Sequence, residues 1–261
     1  AGRELDALAS FDAAVAADPR DADAHFDRAN VLAALYRLPE ALVAYDRAVA
    51  LREGFATAWH NRGTTFLRLS RPDEAIASFD RALALDPVNA DTWTVRGNAL
   101  RAARRDLEAL ESYRRALDLA PEAAFVRGSW LQAKLTVCDW QDLDDDFREL
   151  AARIASGEAA TAPFPVLAMP FTETLQQTAA RRWSAARHPP RAPRPPAHAP
   201  RADGRIHIGY FAATLHEHPM AYLMAELFEK HDRARFVIHA FSFGPDPGGP
   251  LRARLVRAFD A

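Results

Sequence analysis

The 261-residue sequence is poor in the residues that usually announce a special chemistry: it has one cysteine, Cys138, two lysines, Lys134 and Lys230, and almost no net charge. A single thiol cannot close an internal disulfide and makes a poor start for a zinc site, so Cys138 is expected as a small buried apolar residue. The formal net charge of −2, with both signs mixed along the chain, leaves no basic stripe. Nucleic acid and an anionic membrane are therefore not expected as partners. No apolar run approaches the roughly 18 residues that span a bilayer. The opening AGRELDALAS also lacks the basic start and apolar stretch of a signal peptide. A cytoplasmic location is the expectation that follows. Arginine almost replaces lysine and alanine is abundant, a composition that suggests a GC-rich bacterial genome. The chain begins without Met and stops at Phe259-Asp260-Ala261 with a helical pattern still running, so a fragment of a longer protein is expected.

What is present is length and repetition. About half the residues are apolar, enough for one large or two ordinary domains with real cores. Offset by 34 residues, the sequence aligns with itself in three complete blocks, 22–55, 56–89 and 90–123. A large residue recurs as His25, Trp59 and Trp93, and a small one as Ala29, Gly63 and Gly97. Further on come Ala41, Ala75 and Ala109, then Tyr45, Phe79 and Tyr113, then Ala48, Ala82 and Ala116. Pro87 and Pro121 close the second and third blocks, with Glu53 breaking the pattern in the first. Ala7, Phe11, Ala14 and Pro19 stand in the same phase, as the second helix of an incomplete repeat. This is the tetratricopeptide period, so residues 1–123 read as an α-solenoid. Small residues let two antiparallel helices approach, aromatics fill the space between repeats, and proline stops the second helix. Such a solenoid presents a concave groove whose default occupant is a peptide or another protein.

Beyond Ala124 the 34-residue pattern is no longer visible. Helical patterning continues through AFVRGSWLQAKL, DLDDDFRELAARIA and ETLQQTAARRWSAA, so 124–187 reads as capping helices and connector. Residues 188–204, HPPRAPRPPAHAPRADG, have the proline density of an extended, semi-rigid linker and mark a domain boundary. Residues 205–261 then change character. RIHIGYF and FVIHAFS are short β-rich runs, and between them PMAYLMAELFEK places Met220, Leu223, Met224, Leu227 and Phe228 at helical spacing. A strand, helix, strand unit opens a parallel, doubly wound sheet. Ligands of such sheets bind beyond the carboxyl ends of the strands, here the loop 212–218 and the glycine-rich loop 244–249.

These segments together resemble the bacterial O-linked N-acetylglucosamine transferase and SPINDLY family. The resemblance rests on the repeats, on Cys138-Asp139-Trp140, on the string APFPVLAM at 162–169, and on the stretch from Arg205 onward with its His218-Pro219 loop. It implies two Rossmann-like lobes in the GT-B arrangement, of which 205–261 would begin the first. It implies transfer of a sugar from a nucleotide donor, UDP-N-acetylglucosamine or GDP-fucose, to Ser or Thr of acceptor proteins held in the repeat groove. Donor binding would fall mainly outside these residues, with no cofactor or metal needed, and the 261 residues alone would be inactive. The family grips peptide backbone with an asparagine ladder; the matching positions are Asp27, Asn61 and Val95, of which only Asn61 fits. Arg28, Arg62 and Arg96, one position later, read either as a stripe for acidic groups of the acceptor or as a solvated face. His218 corresponds to the family's histidine near the acceptor and is the candidate general base, with helix capping or phosphate binding as the alternatives. Ala212-Ala213-Thr214 and Met220 depart from the family pattern. His216 and His218 stand two apart but have no third ligand nearby, so no metal site is expected. The competing reading is an interaction scaffold that keeps the superhelix without catalysis.

Overall fold

The computed structural model describes residues 2–189, 204–243 and 248–260. Most of the linker segment 188–204 and residues 244–247 of the glycine-rich loop lie outside them. The chain divides into two compact units, Ala1–Pro190 and Arg191–Ala261.

The first unit is a stack of antiparallel helix pairs. After α1 (Gly2–Ala17) come α2 (Ala22–Ala34) with α3 (Leu38–Leu51), α4 (Ala56–Arg68) with α5 (Pro72–Leu85), and α6 (Ala90–Ala102) with α7 (Asp106–Leu119). Corresponding helices start 34 residues apart, as the sequence period requires. The turn inside each pair is one device repeated. Tyr36, Ser70 and Arg104 adopt left-handed φ of 61°, 58° and 62°. The following amides, Arg37, Arg71 and Arg105, donate to the carbonyls of Leu32, Phe66 and Leu100. A positive φ is costly for a residue with a Cβ, and closing the last carbonyls of the first helix offsets it.

The small residues work by contact. A Cβ built on Gly63 would lie 2.6 Å from the Phe79 ring, and one on Gly97 2.6 Å from the Tyr113 ring. Both rings are fully buried. Alanine gains roughly 1 kcal/mol of helix propensity over glycine, while overpacking a core costs about 1–3 kcal/mol. Tyr113 cannot retreat without losing its 2.8 Å hydrogen bond to Asn98 Oδ1, so the clash wins. Gly97→Ala should lower unfolding stability by about 1 kcal/mol in urea melts.

Polar pairs follow the repeat as well. Tyr45 donates to Asn30 Oδ1 as Tyr113 does to Asn98 Oδ1. In the middle repeat both partners change together, to Phe79 and Thr64, and the Thr64 hydroxyl is buried without a partner. Burial pushes the Tyr45 and Tyr113 phenols up to about 12 from 10.0. Between these values the unfolded chain loses the protons and the folded one keeps them, so stability falls as pH rises from 10 to 12. Each tyrosine should remove about 2–3 kcal/mol across that window. Alkaline melts of Tyr45→Phe and Tyr113→Phe, each with one titrating group fewer, should show a shallower decline.

The solenoid continues one repeat further than the sequence pattern suggests. Helix α8 (Val126–Thr136) pairs with α9 (Leu143–Ala155). Cys138, with φ of 57°, takes the place of Tyr36, Ser70 and Arg104, and Asp139 N donates to Lys134 O in the same manner. The period survives in the backbone but not in residue type. Leu131 replaces Ala29, Gly63 and Gly97, Leu143 replaces the first signature alanine, and Leu150 the second. These larger residues hold α8 and α9 apart. The space is filled by Val166, Met169 and Ala179 from α10 (Pro163–Val166), the turn after it and α11 (Glu173–Arg187). Lys134 stands where the other repeats have Leu32, Phe66 and Leu100, and its buried ammonium pairs with Asp146. Cys138 itself is exposed, against the expectation of burial, because the left-handed turn position lies outside the helix-pair interface.

The second unit contains β1 (Ile206–Ala212), α12 (Pro219–Glu229), β2 (Phe236–Ser242) and α13 (Pro250–Ala258). The strands pair in parallel, Ile206 opposite Phe236 and Ala212 opposite Ser242. Alternate residues Ile208, Tyr210, Phe236 and Ile238 meet the helices in one core. The other sheet face carries Phe211 stacked on Phe241, with centroids 4.4 Å apart. The buried side of α12 keeps Met224 and Phe228 of the residues its spacing suggests and replaces the others with alanines. Ala221, Ala225 and Phe228 are buried, while Met220, Leu223 and Leu227 are exposed. Ala221 and Ala225 share that core with Phe228 and Met224, and Leu223 and Leu227 are left exposed.

Candidate functional site

Two places bring together the residue types singled out in the sequence. In the first unit, the initial helices α2, α4 and α6 neighbour one another and form a common face. There Asn61 Nδ2 donates to Asn30 Oδ1 at 2.9 Å, the same oxygen that Tyr45 reaches. Asn61 lines a cavity of about 250 Å³ with Thr57, His60, Asp86, Asn89 and Asp91. The Thr92 hydroxyl donates to Asn89 Oδ1 at 2.9 Å, so it accepts from His60 Nδ1 at 2.8 Å. That leaves the lone pair on His60 Nε2. Burial holds the His60 imidazole below its ordinary value, against a weaker upward pull from Asp91. His60 was missed in the sequence, because the repeat phase aligns it with Phe26 and Thr94 and marks no recurring polar position there. Of the other two ladder positions, Asp27 has its carboxyl raised by burial and then by Asp23 and Asp21. Val95 packs against the core.

The arginine stripe is engaged within the superhelix. Arg28, Arg62 and Arg96 donate through Nε to Asp12, Asp46 and Asp80, on the second helix of the preceding repeat. Arg62 and Arg96 also donate through Nη1 to Ser78 and Ser112, at 2.7 Å each. The Arg62 and Arg96 guanidinium groups thus each bridge two successive second helices, because the fork has donors for both sides, whereas Arg28 has Ala44 at the serine position.

In the second unit, the loop 213–218 leaves the carboxyl end of β1 and ends at His218. His218 is the N-cap of α12: its Nδ1 accepts from Met220 N at 3.2 Å, with Pro219 at the first helical position. With Nδ1 accepting, the neutral ring carries its proton on Nε2. The preceding residue, Glu217, caps a different helix. Its Oε1 accepts from Leu251 N at the start of α13 at 2.8 Å, and its Oε2 from the Tyr222 hydroxyl at 2.5 Å. These two bonds hold the Glu217 carboxyl below its usual range, the tyrosine contributing most. Arg252 Nη1 donates to Leu215 O, a second tie between the loop and α13. His231 is a tether, its Nδ1 on Leu227 O and its Nε2 on the Tyr210 hydroxyl. No group of three or more potential metal ligands occurs among the described residues.

The geometry is that of a parallel sheet with a polar loop at the ends of its strands, in the same chain as a helical solenoid. Residues 137–261 match glycosyl transferase family 41. Residues 1–54 and 60–124 match the tetratricopeptide repeat family. The family 41 match begins at Val137, so it takes in the end of the fourth helix pair as well as the second unit. Similar solved structures share the solenoid fold. "Crystal structure of MamA" is 17% identical, covering 71% of this chain and 92% of that one, with a TM-score of 0.52. A MamA structure from Desulfovibrio magneticus RS-1 is 19% identical, covering 59% and 88%, with a TM-score of 0.55. YrrB, a TPR protein with an unusual peptide-binding site, is 22% identical, covering 67% and 90%, with a TM-score of 0.50. No curated protein matches the chain. No helix among the described residues is long and apolar enough to cross a membrane.

Proposed function

We propose that this protein is a protein O-glycosyltransferase that recruits acceptor proteins through its repeats and transfers a sugar, N-acetylglucosamine in the first instance, to their Ser or Thr hydroxyls. The observation that carries the reading is a family 41 segment joined directly to a tetratricopeptide array in one chain. In this reading the second unit begins the first lobe of a GT-B enzyme, and the acceptor polypeptide runs along the face that carries Asn61. Arg28, Arg62 and Arg96 serve that face by holding successive repeats in register. The peptide-binding site of YrrB, a solenoid of similar fold, is consistent with such use of the repeats.

His218 stands at the carboxyl end of β1, where a sheet of this kind presents its ligands. We assign it to the acceptor hydroxyl, a weak nucleophile that gains from a positioned base. To accept a proton on Nε2 the ring must first carry one on Nδ1, which means giving up the Met220 amide. Base action is therefore coupled to loosening of the α12 cap. The nucleotide donor, UDP-N-acetylglucosamine or GDP-fucose, is assigned mainly to a second lobe outside residues 1–261.

The test is sugar transfer from each labelled donor to proteins of a cell extract, comparing the 261 residues with the full reading frame. Transfer by the full-length protein alone supports the proposal. Peptide binding without transfer from either donor would favour the scaffold reading, and transfer by the 261 residues alone would overturn the assignment of the donor site.

A further inference from the structure

Glu217 and His218 are consecutive residues that cap two different helices. His218 caps its own helix α12 through Met220 N, and Glu217 reaches α13 through Leu251 N. Glu217 also takes the hydroxyl of Tyr222, one turn into α12. Its carboxylate thus joins the β1–α12 loop, the first turn of α12 and the start of α13. The position is tight: a Cβ built on Gly249, the N-cap of α13, would lie 2.9 Å from Glu217 Oε1. The carboxylate is suited to this place because amides at a helix start and the helix dipole both favour negative charge.

We propose that Glu217 is the positioning residue for His218: it holds the loop so that the ring keeps one aim, with Nδ1 on the Met220 amide at rest and released from it when the ring takes a proton. Three anchors, Leu251 N, Tyr222 Oη and Arg252 on Leu215 O, surround a loop of six residues that ends in the histidine. Removing the carboxylate deletes two of them at once. Of these three anchors the loop then keeps the arginine tie, and the ring no longer has one orientation. The inference rests on the transferase reading only in its final consequence, that an aimed His218 matters to turnover.

The test uses ¹⁵N-histidine NMR on the 261-residue chain, with His218 assigned from a His218→Gln spectrum. In the wild type, His218 should show an unprotonated Nδ1 and a protonated Nε2, and the Met220 amide should be protected from exchange. Glu217→Ala should average the two nitrogen signals and release Met220, while the Val237 and Ile238 amides of the sheet stay protected. Glu217→Gln keeps an acceptor for Leu251 N and should restore the wild-type pattern. Tyr222→Phe removes one anchor and should give an intermediate spectrum, a readout that stands even if Glu217→Ala unfolds the unit. In the full-length enzyme, Glu217→Ala should lower kcat about tenfold to a hundredfold with the donor KM unchanged, the size of effect expected from misplacing a reacting group. Unchanged His218 signals and Met220 exchange in both Glu217→Ala and Tyr222→Phe would overturn the proposal. The NMR changes without any wild-type sugar transfer would leave Glu217 in place and count against the transferase reading instead.

Discussion

Replacing His218 with alanine in the full-length enzyme is expected to lower turnover by roughly 100-fold to 10,000-fold, the range typical of losing a positioned general base, with little change in donor affinity. The substitution also removes the N-cap of α12, which is worth about 1 kcal/mol of local stability. The two losses can be separated. Asparagine is a good N-cap that can accept from Met220 N as His218 Nδ1 does, yet it cannot take a proton from a hydroxyl. His218→Asn should therefore keep the stability of the second unit and still lose turnover. Near wild-type turnover in His218→Asn would reduce His218 to a helix cap, and a defect confined to donor KM would move it to the phosphate side of the reaction.

A large structural effect is expected at the end of the solenoid. Leu150 is fully buried in α9, packed with Leu131, Ile154, Val166, Met169 and Ala179. It stands where the preceding repeats have Ala48, Ala82 and Ala116, and the opened α8–α9 pair is built around its volume. Leu150→Ala should cost about 2–5 kcal/mol, the range for truncating a buried leucine when the surroundings cannot collapse. They cannot collapse here because Leu131 and Leu143 still hold the helices apart. Repeat units contact only their neighbours, so the loss should be local. Hydrogen exchange should show residues 126–187 opening early while α2 to α6 keep their protection. A cost under about 1 kcal/mol, or equal loss of protection along the whole solenoid, would mean the last helix pair is not a separate packing unit.

The sequence was most legible where small residues set helix contacts. Gly63, Gly97 and the recurring alanines mark the repeats because nothing larger fits opposite Phe79 and Tyr113. The same dependence hid the fourth pair. Once Leu131, Leu143 and Leu150 had replaced the small residues, the repeat remained only in the backbone turn at Cys138. That turn has no sequence signal, since Tyr36, Ser70, Arg104 and Cys138 share no chemistry beyond a tolerated left-handed φ. The paired change from Asn and Tyr to Thr64 and Phe79 was present in the aligned repeats, but it means something only when the two side chains are known to touch.

The sequence by itself therefore determined the repeat length, the helix pairs that follow from it, and the strand–helix–strand order of the second unit. The elements themselves depend on residues a few positions apart, whose side chains meet by the geometry of one helix or one strand, and the repeat length on the recurrence of those patterns. The tertiary structure decided which groups are already engaged. Arg62 is bound to Asp46 and Ser78, each 16 positions away, and Glu217 to Leu251, 34 positions away. Those partners are brought into range only by the stacking of repeats and by the packing of α13 beside the loop. An arginine stripe that reads either as a recognition surface or as a solvated face is also engaged between helices. A glutamate with no motif around it becomes the anchor of the loop that carries His218, because charge and hydrogen-bonding capacity are local properties while the partner that satisfies them is set by the fold.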